Sequence, residues 1–106
     1  MSGYATVLST AGSKEEAQRL ARGLVEAKLA ACVQLVPIES VYVWDGAVQD
    51  DAEVLLLIKT RRSCFAAIRE FVEANHSYDT PELICLDIVD GAKGYLDWIG
   101  ANTKSG

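Results

Sequence analysis

The chain has 106 residues, 50% hydrophobic and 24% charged, with fifteen acidic against ten basic side chains and a net charge of -5. That length makes one domain with its own core, and the scattered basic residues exclude a nucleic-acid footprint, which needs clustered Lys and Arg. No apolar run approaches membrane-spanning length and the N-terminus lacks a secretory pattern. Cys32, Cys64 and Cys85 are dispersed and odd in number, as expected of free thiols in a reducing compartment, so the cytoplasm is the expected location.

Tyr4 to Ser9 is a short β-rich apolar run. Ser13-Lys14-Glu15-Glu16 reads as a capping box, with Ser13 at the N-cap and the Glu16 side chain reaching back to it. Ala17, Leu20, Ala21, Leu24 and Val25 then recur at helical spacing, predicting a helix that ends near Lys28. Cys32 to Trp44 turns β-branched and aromatic, and Asp45-Gly46 is a two-residue hairpin signal. With those two residues as the turn, Trp44 faces Ala47, Val33 faces Ile58 and Cys32 faces Lys59, unless a bulge at Pro37 shifts the register by one. Val54 to Ile58 is a fully apolar strand, and Gln49-Asp50-Asp51 with Glu53 reads as a solvated hairpin tip.

A second helix follows, with Cys64, Ile68, Phe71, Val72 and Asn75 on one face. Leu83 to Val89 is a further strand. Asp90-Gly91 and Gly94 bracket a turn, and Tyr95 to Ile99 reads as a short closing helix. The order predicts one α+β domain over residues 1–106, a ferredoxin-like βαββαβ sandwich with a long hairpin and a short C-terminal helix. Both helices of such a fold cover one sheet face, yet Val54 to Ile58 is apolar on both faces. The second face must therefore be covered, and self-association is the economical way to do it.

Candidate chemistry centres on the polar island His76-Ser77-Tyr78-Asp79-Thr80-Pro81-Glu82, which holds the sole histidine. His76 is either a helix-end residue complementing the last carbonyls or a metal ligand. Cys32 is either a small core residue or, beside Lys59, a candidate thiolate. Cys64 and Cys85 read as core. Tyr42 and Trp44 share a strand face by the hairpin turn, where aromatics suit a subunit interface or a ligand wall. No phosphate loop, nucleophile elbow or HExxH helix is present, and Cys32 with His76 is the one nucleophile–base pair available. No organic cofactor is expected.

The segments Lys28 to Val33, Val41 to Gly46 and Glu53 to Thr60, the island His76 to Glu82, and the closing Tyr95 to Ile99 resemble CutA, the divalent-cation tolerance family, in order from about Thr6 to Thr103. The resemblance implies a homotrimer of ferredoxin-like subunits similar to PII-type signalling proteins, a link to copper and other divalent cations, and no established enzymatic activity. It implies that clefts between subunits collect Cys32, Trp44, Lys59, His76, Tyr78 and Glu82. Two departures stand out. Ser77 replaces the proline of the family's H-P-Y motif and is expected to loosen the loop; Ser9 and Asn75 stand where bacterial members with an inferred copper site have a cysteine and a histidine. The expected metal set, for copper(II) or another divalent cation, is therefore His76 as principal ligand, Asn75 and Ser9 as weak oxygen donors and Cys32 as a nearby thiolate. The alternative is a binding or signalling module holding a small anionic ligand, with Lys59 for charge, Tyr78 for a hydroxyl and Trp44 for an apolar wall. A purely structural trimer is the third reading.

Overall fold

Four apolar-rich segments pair into one antiparallel sheet, described for residues 2–104 of a computed structural model. The elements are β1 (Tyr4–Ala11), α1 (Lys14–Glu26), β2 (Cys32–Trp44), β3 (Ala47–Arg61), a 3₁₀ turn (Arg62–Cys64), α2 (Phe65–Asn75), β4 (Ile84–Asp87) and α3 (Lys93–Ala101). The strands lie in the order β2-β3-β1-β4, the ferredoxin-like arrangement the sequence predicts.

The hairpin register is the predicted one: Trp44 faces Ala47, Val33 faces Ile58, Cys32 faces Lys59, and Pro37 pairs with Val54 without a bulge. Asp45 and Gly46 both have positive φ, 53° and 77°, the primed turn whose twist matches the flanking strands. Gly46→Ala is expected to cost about 1 kcal/mol, because a Cβ is strained at that φ; urea denaturation measures it.

Residues 5, 7, 9 and 11 of β1 and residues 54, 56, 58 and 60 of β3 share the face beneath α1 and α2. There Val7, Leu56 and Ile58 pack with Leu20 and Leu24 of α1, Ile68 and Val72 of α2, and Cys64. Cys64 is buried and Cys85 packs against this core, as predicted. The opposite face carries Leu8, Leu55, Leu57, Val36, Ile84 and Leu86. One end of it is covered by α3, where Arg61 donates to the Gly100 carbonyl (2.8 Å) and to the Thr103 hydroxyl (3.1 Å). Beyond α3, Ile84 and Leu86 are each 46% exposed and Val36 is 39% exposed.

Several limits differ from those expected. β1 runs on to Ala11, because Thr10 and Ala11 pair with Leu55 and Val54. The polar stretch Gln49 to Glu53 is strand, since β2 supplies partners along its whole length. β4 is shorter than the apolar run 83–89. Gly94 lies inside α3 and does not bracket a turn before it.

Candidate functional site

The island that follows α2 wraps over the C-terminal end of β1, and its first three residues are tied down one after another. His76 is the C-cap of α2, with an extended backbone (φ -89°, ψ 146°) that turns the chain away from the helix. Its imidazole is fully buried. Nε2 lies 2.7 Å from the Thr10 carbonyl, so it carries the proton and donates, while Nδ1 accepts the Tyr78 N–H at 3.0 Å.

Ser77 is held from α1. Its N–H and its hydroxyl donate to the two oxygens of Glu16, at 2.7 and 2.9 Å. The capping box is therefore only half formed. Ser13 Oγ accepts the Glu16 N–H as predicted, but the Glu16 side chain is diverted to Ser77. Ser77 also does not loosen the loop; a proline there would lack both donors that Glu16 receives. Burial alone would raise the Glu16 carboxyl, yet the two Ser77 bonds, the His76 ring and the Gly12 amide together hold it below its ordinary value.

Tyr78 reaches across the sheet end and donates to Glu53 Oε2 at 2.9 Å. Burial, then the bond to Glu53 and the surrounding negative charge, push its phenol up to about 12. Nearby, the Tyr42 hydroxyl donates to Asp51, which raises the Tyr42 phenol as well. Between the distal hairpin and the 78–82 segment lies a cleft of about 830 Å³, whose lining includes Tyr42, Trp44, Tyr78, Thr10 and Ser40. It also carries five carboxylates, Glu39, Asp51, Glu53, Asp79 and Glu82, and no Lys or Arg. Asp51 and Glu53 were legible only as polar residues of a hairpin tip. Asp51 is exposed and Glu53 half-buried, and the strand register places both on the face of Tyr42 and Trp44.

The expected metal set does not converge. Both nitrogens of His76 are committed to Thr10 and Tyr78, leaving no lone pair for an ion. Asn75 donates its side-chain amide to the Phe71 carbonyl. Ser9 Oγ is buried on the helix-covered face without a hydrogen-bond partner. Cys32 begins β2 on the opposite sheet face, paired with Lys59, so the Cys–His pair does not form within one chain. Among the described residues, no group of three or more His, Cys, Asp or Glu side chains could hold a metal ion. These residues do not fit a closed copper site.

Of the six residues expected in clefts between subunits, a single chain brings only some together. Trp44, Tyr78 and Glu82 line the cleft beside the hairpin, and His76 braces it from behind. Cys32 and Lys59 lie at the other end of the sheet, with the Lys59 ammonium 5.8 Å from the centre of the Tyr95 ring. Lys59 is six residues along β3 from Glu53, about 20 Å of extended strand.

Residues 5–102 match the model of the CutA1 divalent ion tolerance protein family. The chain belongs to the CutA1 family. Protein CutA 1, chloroplastic, of Oryza sativa is 52% identical over 99 residues, covering 92% of this chain and 56% of the rice protein. The divalent-cation tolerance protein CutA of Thermus thermophilus is 47% identical over 98 residues, covering 92% of this chain and 95% of that protein. The structure of the periplasmic divalent cation tolerance protein CutA from Archaeoglobus fulgidus superposes with a TM-score of 0.93 at 42% identity, over 95% of this chain and 99% of that one. The chain thus spans about half the length of the plant relatives and nearly all of the prokaryotic ones. The CutA names describe cation tolerance and not a catalysed reaction. Among the described residues, no helix is long and apolar enough to cross a membrane.

Proposed function

We infer that this CutA1-family chain is a homotrimeric divalent-cation-binding protein, taking its ions on carboxylate oxygens in the cleft between the distal hairpin and residues 78–82. The observation that carries this reading is the negative lining of that cleft, five carboxylates with no Lys or Arg; no three of them come together as a closed site, so an ion would rest on at most two of them and on water. Carboxylate oxygens suit hard divalent ions, whereas copper favours the imidazole and thiolate that this cleft does not offer. Asp51 and Glu53 each accept one phenol hydrogen bond and keep further lone pairs for an ion. An ion bound by so few protein oxygens retains most of its water, and the affinity expected is about 10⁻⁴ to 10⁻³ M.

Assembly is supported by the uncovered apolar face and by two free sheet edges, the thirteen-residue β2 and the short β4. Free cysteines suit a reducing setting, and we propose the cytoplasm. No catalytic activity is proposed. The anion-binding alternative keeps Tyr78 and Trp44, but it needs Lys59 supplied by a neighbouring copy.

The test is Mn²⁺ titration followed by electron paramagnetic resonance. The double variant Glu53→Gln/Glu82→Gln is expected to weaken Mn²⁺ binding at least about tenfold, or about 1.4 kcal/mol. Equal affinity in variant and wild type would remove the cleft from consideration.

A further inference from the structure

Glu16 sits at the start of α1, yet its side chain acts on a segment 61 positions away in the sequence. It is 9% exposed, and its two oxygens are both occupied by Ser77. Its Oε2 is also 3.7 Å from His76 Nδ1 and 3.6 Å from the Arg19 guanidinium, which itself donates to the Asn75 carbonyl. The helix does not need this side chain for its cap, because Ser13 Oγ accepts the Glu16 backbone N–H. Glu16 does not line the cleft.

We propose that Glu16 is a positioning residue for the cleft: by gripping both donors of Ser77 it sets the place of Tyr78, and through Tyr78 the cleft wall and the Glu53 carboxylate. The chemistry fits a carboxylate specifically. Two donors on one residue need two acceptor oxygens, and an ionised carboxyl supplies both with short, charge-assisted bonds. A glutamine in its place keeps one acceptor and turns an NH₂ donor toward another donor. Ser77 is followed directly by Tyr78, whose N–H is fixed on His76 and whose hydroxyl is fixed on Glu53. A shift at Ser77 therefore pulls on both Tyr78 anchors, and loss of the phenol bond would free Glu53. This inference rests on the cleft being the binding site, but the grip itself has readouts that require no cation.

The experiment compares wild type with Glu16→Gln and Ser77→Ala. It uses amide hydrogen exchange by NMR and Mn²⁺ titration. In Glu16→Gln the Ser77 and Tyr78 amides are expected to exchange at least tenfold faster relative to the Leu20 and Leu24 amides of α1, and Mn²⁺ affinity to drop about fivefold. Ser77→Ala keeps the N–H bond and should fall between the two. Unchanged Ser77 and Tyr78 amides would overturn the proposal, as would a uniform rise in exchange over the whole chain, which marks global destabilisation. If the amides respond while wild type binds no Mn²⁺, the grip stands and the cation reading falls.

Discussion

His76→Ala is expected to destabilise the protein by about 3 kcal/mol while leaving its copper affinity within about twofold of wild type. The stability loss follows from what the ring satisfies. Its Nε2–H pairs with the carbonyl of Thr10, a residue 6% exposed, and its Nδ1 pairs with the Tyr78 amide. Alanine leaves a buried acceptor and a donor without partners, at about 1–3 kcal/mol each, and opens a void where a fully buried ring stood. The Tyr78 amide lies in an exposed segment and can turn to water, which keeps the total at about 3 kcal/mol, in the lower half of the roughly 2–6 kcal/mol sum. The unchanged copper affinity follows from the same geometry, since a ring with both nitrogens engaged inside the protein has no lone pair to offer. Urea denaturation gives the first quantity and competition with a copper chelator the second. A tenfold loss of copper affinity would restore the imidazole as a ligand and require the 76–78 segment to open on binding.

This double duty explains why the site was less legible in the sequence than the fold. The hairpin register could be read residue by residue, because a two-residue turn at Asp45-Gly46 fixes every pairing back to Cys32 and Lys59. The helices followed from the spacing of Leu20, Leu24, Ile68 and Val72, whose burial the core requires. Side-chain partners brought together by tertiary structure had no comparable rule. The S-x-x-E pattern at Ser13 to Glu16 predicts a reciprocal cap, but the backbone needs only the serine, and Ser77 offers Glu16 two donors where the cap offers one. His76 read as a ligand because a lone histidine among polar residues carries no mark of whether its nitrogens are free. Asp51 and Glu53 read as solvated, and Asp51 is exposed; what the sequence does not show is their phenol partners, Tyr42 for Asp51 and, 25 residues from Glu53 and across the sheet, Tyr78.

Charge placed on the uncovered sheet face is expected to dissociate the proposed assembly. Ile84→Lys/Leu86→Glu should convert a trimer at micromolar concentration to a monomer with an unchanged fold, as read by sedimentation velocity and circular dichroism. Both side chains are nearly half exposed in a single chain, so neither supports the core of its own subunit. They stand on β4, which pairs with β1 on one side and leaves its other edge free. In register, Leu86 lies across from Thr6 and Ile84 from Leu8, which continues the apolar surface toward Leu57, Leu55 and Val36. A monomer exposing this surface and two strand edges would invite non-specific pairing, a hazard that closed association removes. Burying an aliphatic side chain stabilises by about 1.5–3 kcal/mol, and half of that is still open to each residue on association. Placing ammonium and carboxylate groups there instead adds a desolvation cost of several kcal/mol, so the two changes together weaken association by about three orders of magnitude or more. A double variant that sediments as a trimer would place the subunit contacts elsewhere, and a wild type that sediments as a monomer would end the assembly proposal itself.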